Sequence, residues 1–211
     1  MTAAQREALE AATRRFESAL PGSPAEQHLK ERGIPLDVAQ KYRLGYVEDD
    51  IGEYLGAAGR LAIPFVSPGG VVAIRFRWLE GASGEDKKYW QPAGTAVHLF
   101  NVQKLHDTGD QIAITEGEID ALVLSELCGI PAVAIAGTNG WKPYFRHLFS
   151  DLEVIIAMDG DEPGRKAAEK LKKQLPDARV AHLPNDHDVN SLYLQEGAKG
   201  VRKALGVDDD E

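Results

Sequence analysis

The hydrophobic rhythm of this chain changes near residue 108, and the change predicts two regions built differently. Residues from about Thr2 to Leu20 carry a helical pattern that Pro21-Gly22-Ser23-Pro24 ends, and Ser23 stands where it would cap a second helix running from Ala25 towards Gly33. Gly33-Ile34-Pro35-Leu36-Asp37-Val38-Ala39 reads as a turn and a short helix, after which Arg43-Leu44-Gly45-Tyr46-Val47 leads into extended structure. Leu61 to Val66 and Val71 to Leu79 then read as strands joined by a Pro68-Gly69-Gly70 turn. In the second strand a period of two sets Val72, Ile74, Phe76 and Trp78 on one face and Arg75 and Arg77 on the other, which predicts a sheet with a basic face.

Beyond Asp110 strand and helix alternate. Strands are expected at 112–115, 132–135, 154–158 and 179–183, with helices at about 119–127, 143–149 and 164–174 and one or two short ones from 190 to 205. This is the pattern of a parallel α/β unit. The boundary falls at Asp107-Thr108-Gly109-Asp110, giving a basic amino-terminal α+β region (1–107) and an α/β region (108–211).

Acidic residues stand where the apolar runs of the second region end: Glu116 after the first, Asp159 and Asp161 after the third, Asp186 and Asp188 after the fourth. In an open parallel sheet, ligands bind at the carboxyl ends of the strands. Carboxylates gathered there repel one another unless a hard, oxygen-seeking cation such as Mg2+ lies between them. The placement therefore predicts a metal-dependent enzyme that handles phosphates. Asp120, in the first turn of the helix after Glu116, would face the same space. In Asp159-Gly160-Asp161, Gly160 would let the backbone turn so that both carboxylates reach one ion. The competing reading of that tripeptide is turn chemistry, since Asp-Gly favours tight turns, but acids at several separate strand ends argue against it.

Charge modifies this picture only locally. The net charge of −9 argues against a protein that coats nucleic acid non-specifically through a basic surface. Acid is concentrated in the Asp208-Asp209-Asp210-Glu211 tail and the strand ends, however, while Arg60, Arg75, Arg77, Lys87 and Lys88 gather in one stretch. With 43% hydrophobic and 27% charged residues the chain has the composition of a soluble globular protein. Cys128, the single cysteine, excludes an intrachain disulfide and a zinc module built on several cysteines. No apolar run approaches the ~20 residues of a membrane span, and the expected location is cytoplasmic.

Glu116-Gly117-x-x-Asp120-Ala121 followed by Asp159-Gly160-Asp161-x-x-Gly164-Arg165-x-Ala167-Ala168, and by Asp186-His187-Asp188-Val189-Asn190, resembles the Toprim domain over about residues 110–205. That Rossmann-like fold serves DnaG-type primases, type IA and type II topoisomerases and several nucleases. His28-Leu29-Lys30-Glu31-Arg32-Gly33, Tyr42-Arg43-Leu44-Gly45-Tyr46, Gly59 to Phe65, Arg77 and Lys88-Tyr89 resemble, in that order, the amino-terminal subdomain of the bacterial and phage primase core.

The resemblance implies a Toprim domain preceded by a small α+β subdomain that synthesises short RNA primers on single-stranded DNA from ribonucleoside triphosphates; the expected departure from cellular primases is a core without zinc-binding or helicase-binding domains. It implies Mg2+ or Mn2+ and no zinc. Asp159 and Asp161 would hold the first ion, Asp188 would help with another, Asp120 would contribute directly or through water, and Glu116 would be general base or a further ligand. Arg60, Arg77 and Lys88 would contact template and nucleotide phosphates. A replicative helicase and a separate zinc-bearing initiation factor are implied partners. Asn190 stands where cellular primases usually carry a second aspartate.

A Toprim nuclease and a non-catalytic DNA-binding replication subunit are the alternative readings. Glu118 and Glu162 read as exposed helix-start residues, His187 as a solvated loop histidine, the glycine-bearing run Ala136 to Gly140 as a weak phosphate cradle, and Trp78, Trp90 and Trp141 as packing residues.

Overall fold

The computed structural model describes residues 1–79, 88–107 and 109–207, so Lys87, Thr108 and the acidic tail lie outside the described residues. The chain divides into two compact units, Met1–Ala96 and Val97–Glu211.

In the first unit three helices, α1 (Ala3–Ser18), α2 (Pro24–Glu31) and α3 (Leu36–Lys41), precede an antiparallel sheet of β1 (Gly45–Tyr46), β2 (Arg60–Ser67), β3 (Gly70–Trp78) and β4 (Tyr89–Trp90), in that spatial order. Thr2 and Gln5 form a capping box on α1, and the Ser23 side chain caps α2 with Pro24 in its first turn, as the sequence predicts. α1 lays Phe16 against Phe76 and Tyr54, with ring centroids 5.8 Å from each. Glu10 of the same helix accepts the Val71 N–H at 2.8 Å and pairs with Arg43 at 3.0 Å.

The period-of-two expectation for β3 holds only in part. Between Phe65 and Val66 the register shifts, so Phe65 pairs with Ala73 while Val66 pairs with Val71. The extra residue reverses the alternation. Val71 rather than Val72 enters the core with Ile74 and Phe76. The arginine face is not an open one either. Leu61 and Ile63, opposite Arg77 and Arg75, are fully buried, and Arg77 itself is only 5% exposed. A face that carries two large aliphatic side chains has to be covered, and the covering takes the arginine with it.

The second unit is an α/β layer. Its parallel sheet has the order β6 (Ala132–Ala134), β5 (Gln111–Thr115), β7 (Glu153–Ala157), β8 (Arg179–Val180). α4 (Lys104–Asp107) precedes β5, and Phe100, ahead of α4, bridges to Ala134 of β6. After β5 come α5 (Glu118–Leu122) and one π-helical turn (Val123–Leu127), after β6 a 3-10 helix (Pro143–Phe149), after β7 α6 (Glu162–Gln174), and after β8 α7 (Val189–Leu205). α7 breaks at Gly197, whose φ of 69° is left-handed. Ile112, Ile114, Val133, Ile156 and Leu171 meet in the core, and Trp141 packs there on Phe145 and Phe149. β8 pairs with β7 at only two positions, shorter than the sequence suggests. Among the described residues no helix is long and apolar enough to cross a membrane.

Candidate active site

The acids of the second unit are positioned by strand register. Thr115 pairs with Ala157, so Glu116 and Asp159 leave adjacent strands at nearly the same level of the sheet. Ile156 pairs with Val180, which sends the chain from β8 to the same edge. Glu116, Asp159, Asp161 and Asp188 are all half-buried there, whereas Asp186 is exposed.

Backbone hydrogen bonds fasten the three strand-end loops together. Gly160 N–H donates to the His187 carbonyl at 2.7 Å, and Asp186 N–H donates to the Gly160 carbonyl at 3.3 Å. Asp120, 6% exposed, accepts the Asn190 N–H on Oδ1 at 2.9 Å. The loop after β5 is thus tied to the loop after β8, which is tied to the loop after β7. Gly160 acts by absence of bulk: a Cβ there would lie 2.0 Å from the Pro184 carbonyl oxygen. Gly164 does the same for the Asp159 carbonyl oxygen, at 2.2 Å.

Two of the acids also start helices. Asp161 caps α6 by accepting the Gly164 N–H at 2.7 Å, and Asp188 caps α7 by accepting the Ser191 N–H at 2.6 Å. Each cap uses one oxygen, and a carboxylate offers about four acceptor positions. Glu162 is exposed and pairs with Lys166, as expected of a helix-start residue. Glu118 corrects that expectation, being fully buried in the first turn of α5. The helix follows β5 so tightly that all five of its residues are buried.

The predicted cations of the first unit separate into two sets. Arg60 pairs with Trp78 across β2 and β3, and its guanidinium stacks on that indole 4.5 Å from the centroid while Nε donates to the Gly56 carbonyl. Arg77 lies on the opposite face, with Arg75. There Tyr89 gathers the charges: Arg75 stacks 3.9 Å from its ring centroid, Arg77 Nη1 donates to its hydroxyl at 2.7 Å, and Lys88 lies 5.9 Å from the ring. Arg77 and Lys88 therefore share a neighbourhood that Arg60 does not.

A family model of Toprim-like domains matches residues 113–193, from β5 into α7. The chain matches the crystal structure of the RNA polymerase domain of Mycobacterium tuberculosis primase DnaG with a TM-score of 0.78, at 25% identity, over 97% of this chain and 84% of that one. The same domain in complex with double-stranded DNA matches with a TM-score of 0.77. In sequence, the DNA primase of Pseudomonas putida is 29% identical over 241 residues, covering 90% of this chain and 36% of that protein. The Gene 57 protein of Mycobacterium phage D29 is 44% identical over 153 residues, covering 70% of this chain and 98% of that protein. The chain belongs to the Toprim-containing, DnaG-type primase family.

The primase family is metal-dependent, generally on Mg2+. In this primase-type chain the donor set is carboxylate oxygen throughout, the chemistry of a hard cation and not of zinc. Among the described residues no three histidine, cysteine or acidic side chains form a ready-made cage. Mg2+ does not require one, because it keeps several waters and takes one or two carboxylates plus substrate phosphate. The residues fit that ion.

Sequence reasoning passed over His28, although it lies in a run that carries the family resemblance. Burial, then the charges of Arg77 and Arg32, push its imidazole down to about 4, with Lys88 adding to them and Glu31 opposing. The unfolded chain takes up this proton near pH 6.5 and the folded chain refuses it until about pH 4, so stability falls as pH drops through that window. The urea midpoint of His28→Gln should decline less than that of the native chain between pH 7 and 5.

Proposed function

We propose that this chain is a metal-dependent primase core that joins ribonucleotides on a single-stranded DNA template. It spans 36% of the length of the Pseudomonas putida primase, so the activity assigned here is that of the core. The observation that carries the reading is the fastening of the three strand-end loops, which holds Glu116, Asp120, Asp159, Asp161 and Asp188 at one edge of one parallel sheet.

In this reaction the primer 3′-hydroxyl attacks the α-phosphate of a nucleotide, the O–P bond forms, and pyrophosphate leaves with the electrons of the broken bond. When bound, Mg2+ or Mn2+ would neutralise the charge that builds on the phosphoryl oxygens and the leaving group. Asp159 and Asp161 would hold it, with Asp188 serving a further ion. Asp120, tied to the Asn190 amide, would act chiefly by fixing its neighbours. Glu116 would accept the proton of the attacking hydroxyl, or be a further ligand. Arg77 and Lys88 would bind phosphates; Arg60, stacked on Trp78, would support the strand pair that carries Arg77. A replicative helicase and a separate zinc-bearing initiation factor are the partners this reading calls for, and the cytoplasm of a bacterial or phage-infected cell is its setting.

Purified protein given single-stranded DNA, labelled ribonucleotides and Mg2+ or Mn2+ should make short oligomers that vanish in Asp159→Ala and Asp161→Ala. Cleavage of the template without synthesis would mark a nuclease instead. Lys88 is exposed and tests the phosphate role separately. Lys88→Ala should lower DNA affinity and reduce the slope of log affinity against log salt by about one contact, roughly 0.7 on single strands, without changing thermal stability.

A further inference from the structure

His28 of α2 and Arg77 of β3 share an unmet need. Among the described residues, His28 Nε2 and Arg77 Nε are both enclosed by protein and neither has a hydrogen-bond partner. Arg77 is 95% buried by its exposure of 5%, and its Nε–H is a donor only. An enclosed, unsatisfied guanidinium N–H costs free energy unless something accepts from it. The Tyr89 hydroxyl takes up Arg77 Nη1, which leaves Nε as the unsatisfied donor.

The charge around the two atoms says what would accept. Arg77 on β3, Lys88 before β4 and Arg32 at the end of α2 all bear on His28 as positive charges, and Glu31 of α2 opposes them. Arg75 of β3 stacks on Tyr89, 3.9 Å from the ring centroid. An oxygen carrying negative charge would meet two waiting nitrogens in a field already favourable to it.

We propose that His28 is a phosphate-binding residue of this chain, acting with Arg77 on one phosphate of the nucleic acid or nucleotide, and that the imidazole takes up a proton as the phosphate seats. This rests on the nucleic-acid reading above and adds to it a contact and a condition. Without a ligand the imidazole stays neutral because burial and three cations disfavour a fourth charge. A seated phosphate offsets those cations, and the proton that solvent supplies to His28 adds a charge-assisted hydrogen bond. Binding then strengthens as pH falls, up to the point where the empty site is itself protonated.

The test compares native protein with His28→Gln at pH 8 and pH 5.5, using a fluorescent single-stranded DNA oligonucleotide in one arm and a ribonucleoside triphosphate in the other. Phosphodiesters do not titrate in this range. The native protein should gain about tenfold more affinity on acidification than His28→Gln does, as expected for one group whose pKa rises on binding from about 4 back to roughly the ordinary histidine value. The arm that shows the gain identifies the template or the nucleotide as the source of the phosphate.

Equal pH slopes for the two proteins in both arms overturn the proposal and leave the primase reading standing. Failure of the native protein to bind either ligand overturns both. Should His28→Gln unfold, calorimetry of the native protein at pH 6 in two buffers of different ionisation heat reads the proton directly. Uptake of about half a proton or more per ligand is expected, and none overturns the proposal.

Discussion

Asp161→Asn is expected to lose primer synthesis by about 10³-fold, roughly 4 kcal/mol of transition-state stabilisation, while unfolding at nearly the native temperature. The two halves of this expectation come from different oxygens of one side chain. Oδ1 accepts the Gly164 N–H and starts α6. Asparagine caps as well as aspartate does, so that role survives. The negative charge does not survive, and that charge is what would hold the cation that offsets the charge building on the phosphoryl oxygens. Asp161→Ala removes both and should also cost about 1 kcal/mol of stability for the lost cap. Measuring oligomer synthesis beside the thermal midpoint of the three proteins separates the roles. If the asparagine variant keeps its activity, the Asp-Gly-Asp carboxylates are turn and cap residues and the metal assignment fails.

That outcome bears on how much the sequence discloses. The parallel sheet was legible because its strands are short apolar runs ending in acids, and burial on both faces leaves no other composition possible. Asp159 and Asp161 were legible as a pair because an acid at a strand end is out of place unless something uses it. The amino-terminal helices were legible through Ser23 and the prolines around it.

Four features were hidden for physical reasons. The bulge opposite Val66 moves Val71 into the core in place of Val72, and a period-of-two argument has no means of seeing an inserted residue. The burial of Arg77 depends on what covers Leu61 and Ile63, which is a matter of tertiary packing. Glu118 looks like a surface residue at a helix start, but only two residues separate α5 from β5 and the helix is swallowed whole. His28 carries no local signal at all. Only its enclosed nitrogen, and the three cations that bear on it, distinguish it from a surface histidine on an amphipathic helix.

Gly160 shows the same limit from the other side, and it supports the second large expectation. The sequence reads it as a residue that frees the backbone to turn. Its φ is not in the left-handed region. What it supplies is room: an added Cβ would stand 2.0 Å from the Pro184 carbonyl oxygen and 3.1 Å from that of His187. Both are backbone atoms and neither is able to swing aside as the tip of a long side chain would. Gly160→Ala must therefore part the loops after β7 and β8, stretching the hydrogen bonds from Gly160 to His187 and from Asp186 to Gly160.

The expected cost is about 2–3 kcal/mol in urea unfolding, the range of a forced overpacking. The loss in primer synthesis should be larger in proportion, on the order of 10²-fold, since a displacement near 1 Å of a catalytic group has that effect. Gly109→Ala, where an added Cβ meets nothing within 4 Å, should stay within about 0.5 kcal/mol of the native chain. The ratio of the two losses in Gly160→Ala is the informative quantity. Stability lost without activity would mean that the clamp serves the fold alone. Activity lost well beyond stability would mean that the separation of Asp159 and Asp161 from Asp188 is set by the contact at Gly160, and that a residue with no side chain fixes the spacing of the acids around it.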